Sequence, residues 1–434
     1  MNLLKKAVPL VLIVADIATI ALSIFLAYES RELFLAPNDI PLSHYILFLP
    51  MYFPIVLFIF SGLYRYRFDF WHESKYIAKS TAFSLLLVLS YLAVTRSVEN
   101  YSRFVILASF VFMTLLLPLQ KRLVKYLLFK AGVWKKPAKY IGSGEVYDKS
   151  VFENYYMGYI KSKNADTVFI NSQEIEPNKV EKLLKKEILS HHELYFIPIL
   201  KDFNLADSVI FELINSRQNL ILLKNRLENR MNIVIKESSD KILGGISFVL
   251  LLPLLGVAAL LVYMENPDAP VLFYQRRVAK GGGKFTLLKF RTMHPDSKKI
   301  LKRYFEENPE GYEEYKKYKK LRNDPRVTRV GAFLRRYSLD ELPQIINVIK
   351  GDMSLVGPRP YMAGELKELG EDKEIILSVK PGITGLWQVS GRNRLTFEER
   401  KKMDLWYVYN WSLWKDIVIL LKTFKAIITK DGAF

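Results

Sequence analysis

Asp340 and Glu341 stand side by side, between a basic cluster that includes Arg335 and Arg336 and a Gly/Pro-rich turn, Val356-Gly-Pro-Arg-Pro360. Adjacent carboxylates repel, and one of them rises in pKa unless a cation sits between them. Mg2+ would supply that cation, since it prefers one or two carboxylates plus the phosphate oxygens of a substrate. Arg335, Arg336 and Arg359 could hold those phosphates through forked hydrogen bonds. An aspartate beside a metal can also attack phosphorus and form an acyl phosphate. The same residues have a purely local reading: Ser338 to Glu341 fits the S-x-x-E capping box, with Leu342, Ile345, Ile346 and Ile349 as the buried face of the helix it would open.

The surrounding elements must carry the remaining polar groups. Residues 271–278 and 284–290 flank Ala279-Lys-Gly-Gly-Gly283 and read as a β-hairpin. No helix start or G-K-[ST] follows these glycines, so they are a turn and not a phosphate loop. Lys289 and Arg291 then leave one side of a strand by its two-residue period, as candidate phosphate contacts. Residues 351–362 and 380–394 are rich in Gly, Pro and polar residues between apolar elements, the composition of binding loops. They supply Arg359 and Arg392 as candidates for a donor's diphosphate and nucleoside, and Gln388 for polar recognition. The charged segment 297–322 reads as a solvated or headgroup-facing amphipathic helix. The aromatic run Tyr407, Tyr409, Trp411 and Trp414 leads into an interfacial helix over 416–429.

Five blocks in this order resemble the bacterial sugar transferase family, the monotopic phosphoglycosyl transferases. They are Lys289-Phe-Arg-Thr-Met293, Asn323-Asp-Pro-Arg-Val-Thr-Arg-Val-Gly331, Ser338-Leu-Asp-Glu-Leu-Pro-Gln344, Lys350-Gly-Asp-Met-Ser-Leu-Val-Gly-Pro-Arg-Pro360 and Lys380-Pro-Gly-Ile-Thr-Gly-Leu-Trp-Gln-Val-Ser-Gly-Arg-Asn393. The resemblance covers roughly residues 236–434, and the apolar segments ahead of it make the chain similar to the long form, as in undecaprenyl-phosphate galactose phosphotransferases. It implies transfer of a sugar phosphate, galactose or glucose first, from a UDP-sugar to polyprenyl phosphate. It also implies Asp340 as nucleophile, Glu341 as the metal partner, Lys289 as a phosphate contact and a homodimer. Residue chemistry by itself does not order the two carboxylates.

Composition agrees with a membrane protein. The chain has 434 residues, a formal net charge of +19, 50% hydrophobic residues, 13% aromatic residues and no Cys. That length predicts two or three folding units. Strong positive charge on so hydrophobic a chain points to anionic lipid and phosphate. No interleaved basic and aromatic platform argues for nucleic acid. Without Cys, disulfides and thiolate metal sites are excluded. The first apolar run is followed by Glu29-Ser-Arg-Glu32 without a small-residue cleavage pattern, which makes it an anchor and not a signal peptide.

Four apolar runs, 8–28, 45–64, 76–95 and 101–119, each approach the roughly 20 residues of a spanning helix. Lysines and arginines collect before the first, between the second and third, and after the fourth, so both ends of this block are expected in the cytoplasm. Asp16 lies within the first run and reads as a buried polar contact, because no cation is found in the other runs. Between 137 and 236, a strand opening into Gly142-Ser-Gly144, a strand at 167–171, a helix at 179–190 and a strand at 194–199 predict a small Rossmann-like α/β domain. Tyr147 occupies the third glycine position of G-x-G-x-x-G, so the dinucleotide fingerprint is degraded.

The apolar run 242–264 has Pro253 near its middle, where a kink is expected. Basic residues follow it at once (Arg276, Arg277, Lys280 and Lys284), so a re-entrant helix broken at Pro253 fits better than a fifth crossing. Members of the family carry Ser-Pro at such a break, whereas Leu252 precedes Pro253 here. The expected architecture is a four-helix transmembrane domain (1–136), a degraded Rossmann-like domain (137–236) and a mostly helical monotopic catalytic domain with a re-entrant helix (237–434). It would sit in the bacterial inner membrane with its catalytic domain on the cytoplasmic face. The competing reading is a non-enzymatic membrane scaffold or nucleotide sensor.

Overall fold

A computed structural model describes residues 2–35, 39–142, 148–172, 175–190, 193–198, 205, 208–213, 218–222, 226–227, 229–318, 321, 324–391 and 395–429. The chain divides into two compact units, Met1–Lys201 and Asp202–Phe434.

The first unit opens with α1 (Asn2–Phe34), followed by α2 (Leu42–Ile46), α3 (Phe53–Phe60), α4 (Phe70–Val94) and α5 (Arg103–Lys130). Ala7–Phe34, Phe70–Val94 and Arg103–Lys130 are long and apolar enough to cross a membrane. The second apolar run does not form the single helix expected over 45–64. It is divided into α2, a 3-10 turn over Leu49–Tyr52 and α3, with Pro50 and Pro54 at the second positions of the last two pieces, inside their first turns. Proline at those positions starts a helix readily but cannot continue one through its missing N–H. The fourth run, expected to end at 119, continues as helix to Lys130.

That extension corrects the reading of Asp16. Lys121 lies within α5 and its ammonium is 2.7 Å from the Asp16 carboxylate and 3.8 Å from Glu73 of α4. Lys125, one turn later, pairs with Glu73, and all four side chains are fully buried. Tyr64 adds a hydrogen bond from its hydroxyl to Asp16 at 2.6 Å. A cation therefore does meet Asp16, from a part of the sequence that reads as a cytoplasmic loop.

Beyond the helices, β1 (Lys136–Ile141), β2 (Tyr159–Lys161), β3 (Thr167–Asn171) and β4 (Glu193–Ile197) form a wholly parallel sheet in the order β2-β1-β3-β4, with α6 (Pro177–Ser190) crossing from β3 to β4. Arg67 ties it to the helices by donating to the carbonyls of Trp134, Met157 and Gly158. The Gly-Ser-Gly turn after β1 lies mostly outside the described residues.

The second unit contains a hairpin, β5 (Val209–Leu213) with β6 (Gln218–Leu222), and then α7, a continuous helix over Arg230–Glu265. Pro253 stands inside it without ending it. At about 1.5 Å per residue such a helix exceeds the roughly 30 Å of a bilayer core. The predicted hairpin is present as β7 (Leu272–Val278) and β8 (Lys284–Phe290), antiparallel in register from Leu272↔Phe290 to Val278↔Lys284. The amphipathic segment is two helices, α8 (Ser297–Glu307) and α9 (Pro309–Tyr318), because Asn308-Pro309 breaks it. The rest comprises α10 (Arg329–Arg336), α11 (Gln344–Lys350), the parallel pair β9 (Ser354–Val356) and β10 (Gly382–Thr384), α12 (Leu386–Ser390), α13 (Phe397–Tyr409) and α14 (Leu413–Thr429).

The core of this unit is built from Phe285 and Leu287 of β8, Ile345 and Val348 of α11, Leu355 and Val356 of β9, Tyr407 and Trp411. Both ends of α7 dock on it. Asp240 accepts from the Ser354 hydroxyl and the Leu355 amide, and Lys236 pairs with Asp416 at 2.8 Å. Toward the other end, Ala258 and Val262 pack with Phe290 and Leu334. Between them Ile246, Val249, Leu250 and Leu252 are exposed, an apolar stretch that no neighbouring element of this unit covers among the described residues.

Candidate active site

The carboxylate pair sits on a 3-10 turn, Leu339–Glu341, slung between two helices that are fixed to the same hairpin. Upstream, α10 is pressed onto the strand exit at Thr292: a Cβ on Gly331 would lie 2.2 Å from the Thr292 carbonyl oxygen, so only glycine allows this approach. Downstream, Asn347 of α11 accepts from the Leu288 amide and donates to the Thr286 carbonyl at 2.8 Å, stitching the helix to β8. The capping-box reading fails: Ser338 has left-handed backbone (φ 57°) and its side chain caps nothing. A non-glycine residue there stores strain of order 1 kcal/mol or more, which marks a turn shaped by its surroundings.

This frame places Lys289 against the pair. Its ammonium donates to the Glu341 carboxylate at 2.6 Å, with the two side chains 23% and 32% exposed, so the bond faces an opening and not the core. Arg335 approaches from α10 and gives its Nε–H to the Thr292 hydroxyl at 2.9 Å. Burial raises the Asp340 carboxyl above its ordinary range, and the Glu341 charge raises it further, against the pull of Lys289 and Arg335. Burial likewise lowers the Arg335 guanidinium. Among the described residues no ion pair is made to Asp340, so its negative charge is under-compensated where it stands.

The first of the two predicted loops, 351–362, carries Arg359. Its amide donates to Asp404 at 3.2 Å and its guanidinium to Glu365 at 3.4 Å, with the guanidinium 5.8 Å from the centre of the Trp387 ring. Asp404 is fully buried, accepts from the Tyr361 hydroxyl at 2.8 Å, and is raised by burial to about 7. Arg400 lies on Trp387 as well, at 5.7 Å.

The sequence pattern does not single out Arg277, a residue of β7 that reads as part of a charged flank. It donates to the Pro360 carbonyl at 3.0 Å and to Gln275, and its Nε is buried without a hydrogen-bond partner among the described residues. Burial lowers it, the nearby Arg359 lowers it further, and Glu365 and Glu341 oppose both. It is thus the cation that feels both the carboxylate turn and the Arg359 loop.

Two other candidates have different places. Arg291 spends its donors on the carbonyls of Pro270, Val262 and Asn266, which closes the C-terminal end of α7 and is not a contact with the carboxylates. Gln388, on α12, donates to the Ile383 carbonyl of β10. Arg392 lies outside the described residues. No group of three or more acidic or histidine side chains converges as a metal cage among the described residues. The adjacent Asp340 and Glu341 suit a hard divalent ion that draws its other ligands from phosphate and water.

A turn holding two carboxylates, ringed by Lys289, Arg335 and Arg277, is the kind of site that handles phosphate esters. The model for "Bacterial sugar transferase" matches residues 231–430. The chain is 34% identical over 405 residues to the undecaprenyl-phosphate galactose phosphotransferase of Salmonella typhimurium, covering 86% of this chain and 84% of that one. It is 33% identical over 407 residues to the UDP-galactose-lipid carrier transferase of Erwinia amylovora, with 86% and 84% covered. It is 44% identical over 199 residues to the exopolysaccharide production protein ExoY of Rhizobium meliloti, with 46% of this chain and 88% of that one covered. The chain belongs to the bacterial sugar transferase family.

Proposed function

We propose that this protein transfers a hexose 1-phosphate, from UDP-galactose or UDP-glucose, to undecaprenyl phosphate and releases UMP, as a membrane-bound first step in making a bacterial polysaccharide. The observation that carries this is the under-compensated Asp340 beside the Lys289–Glu341 pair, in a chain whose relatives are named for such transfers.

In the first step an Asp340 oxygen forms a bond to the β-phosphorus of the UDP-sugar. The bond from that phosphorus to the bridging oxygen breaks, and UMP leaves with the electron pair. The sugar phosphate is now an aspartyl ester. An oxygen of undecaprenyl phosphate then attacks the same phosphorus, and the carboxylate of Asp340 leaves as undecaprenyl diphosphate sugar forms. Arg335, Arg277 and Arg359 neutralise phosphate oxygens through forked bonds, while Lys289 holds Glu341 in place. Asp340 and Glu341 would hold Mg2+, which when bound supplies charge neutralisation at the diphosphate.

Membrane attachment of this unit is through α7. Apolar side chains are exposed along α7 from Ile242 to Met264, and the basic residues that follow it (Arg276, Arg277, Lys280 and Lys284) favour entry and return on one side over a crossing. Such an entry supports a catalytic unit on the cytoplasmic face of the inner membrane, where UDP-sugars are found.

The test is intact mass of the purified protein with Mg2+ and a panel of UDP-sugars, without lipid acceptor. A gain of one hexose phosphate, with UMP released and no gain in Asp340→Asn, is expected and names the donor. Product formation on adding polyprenyl phosphate without any adduct would mean direct transfer and overturn the covalent route. No turnover in either case would favour the scaffold.

A further inference from the structure

The parallel sheet of the first unit has a cleft of about 410 Å3, lined by Lys139, Tyr140, Lys161, Ser162 and Lys163. That volume falls within the range of small-molecule sites, roughly 300–1,000 Å3, and well above what a single phosphate fills. The lining residues come from the end of β1 and from the end of β2 with the residues after it. In an open parallel sheet, ligands bind outside the carboxyl ends of the strands, where the order reverses. The order β2-β1-β3-β4 reverses between β1 and β3, and the cleft lies one strand over, at the carboxyl ends of β1 and β2.

The chemistry of the lining is consistent along its length. Three ammonium groups border it, and a hydroxyl lies between two of them. Lys139 is anchored by Glu187 at 3.0 Å, which fixes the side chain at the mouth. The Lys161 ammonium lies over the rings of Tyr140 and Phe152, 5.7 and 5.6 Å from their centres, so cation and aromatic surface are presented together. At the strand end Gly142 has φ 117°, and a Cβ there would lie 2.8 Å from the Asn171 carbonyl, so the backbone turns away closely and leaves the edge open.

The Ser162 hydroxyl gives its proton to the Asn164 carbonyl at 2.9 Å, which leaves the lysines as the phosphate donors. We infer that this cleft binds a nucleoside phosphate, its phosphates on Lys161 and Lys163 and its base against Tyr140. This site lies in a different unit from Asp340 and is a second nucleotide site, with a binding role and no chemistry. The loss of the third glycine at Tyr147 argues against a dinucleotide and leaves room for a mononucleotide held by side chains in place of a glycine-rich backbone.

Hydrogen exchange of the full chain in phosphatidylcholine nanodiscs, with UMP and UDP as probes at millimolar concentration, reads this site separately from the catalytic unit. Slower exchange is expected in peptides over 136–141 and 159–163. Lys161→Glu with Lys163→Glu should abolish that protection while the peptides over 339–350 respond as before. Lys163→Gln alone, which adds no negative charge at an exposed position, should raise the half-saturating concentration by about tenfold, in line with loss of one charge-assisted bond. No change in the two strand-end peptides with either probe would overturn the inference. So would protection that arises only when the nanodiscs contain anionic lipid.

Discussion

Two clusters of opposite charge in this protein use the same residue types to opposite ends. In the helical bundle, Asp16 and Glu73 face Lys121 and Lys125, two against two, all fully buried and all within pairing distance. On the candidate turn, Asp340 and Glu341 are neighbours, each only partly buried, with Lys289 bonded to Glu341 and the Arg335 Nε given to a hydroxyl. The first set is balanced within itself. Removing a partner there strands a charge in a low-dielectric interior. The second set leaves one carboxylate wanting a cation, and that deficit is what a metal or a phosphorus centre can use.

The largest effect expected from this contrast is on chemistry. Asp340→Asn should lower transfer by about four orders of magnitude or more, the scale seen when a nucleophile is removed. Thermal unfolding should show the fold intact or slightly firmer, because the raised carboxyl was unfavourable in its ionised form. A variant that loses stability in proportion to activity would place Asp340 in the structural class with Asp16.

In the bundle the reverse should hold. Lys121→Met leaves Asp16 buried without its cation and should cost about 3–5 kcal/mol, read as a lower unfolding midpoint in detergent. Adding Asp16→Leu should restore most of that loss, with transfer per folded molecule unchanged throughout.

The pH profile sharpens the comparison further. A carboxyl raised in the folded state stays protonated to higher pH than usual, so transfer that needs its anion should fall as pH drops through the raised value. The same shift gives stability at low pH that fades as pH rises through it. Lys289→Met removes a cation that holds Asp340 down, and the acid limb of the kcat profile should move to higher pH. An unmoved limb would mean that another group titrates there.

The smallest effect is expected at Asp404. Asp404→Asn keeps an acceptor for Tyr361 but alters the hold on the Arg359 amide. A KM for the donor raised by about two- to tenfold, with kcat little changed, would fit loss of one charge-assisted bond. Because Asp404 is raised to about 7, the variant should also flatten any KM change near neutral pH.

Much of the arrangement around Asp340 is legible in the sequence. The two carboxylates, the hairpin that delivers Lys289 and the Gly/Pro loop with Arg359 are local features, written in adjacent residues and short periods. What escapes is set by distance along the chain. Lys121 reads as a loop residue because apolar content falls off after 119, yet the helix continues, its lysines turned inward to acids 105 and 52 residues away. Arg291 and Lys289 share a strand face by period, but Arg291 stands past the end of β8, where the carbonyls of α7 claim it. Ser338 fits a cap by spacing, yet its backbone is left-handed (φ 57°) and its side chain caps nothing. Arg277 carries no signal among so many cations, because its partner, the Pro360 carbonyl, lies 83 residues away.

The docking of α7 also sets an order of events during synthesis. Asp240 reaches a backbone partner, Leu355, that lies 115 residues later in the chain. At the usual 5–20 residues per second, the helix leaves the ribosome about 6–23 seconds before that partner exists. During that interval its carboxyl-terminal half can already pack on Phe290 and Leu334, while the half around Asp240 still waits for its partner. The unit is therefore completed in two stages, the carboxyl-terminal half of α7 first and the Asp240 end last.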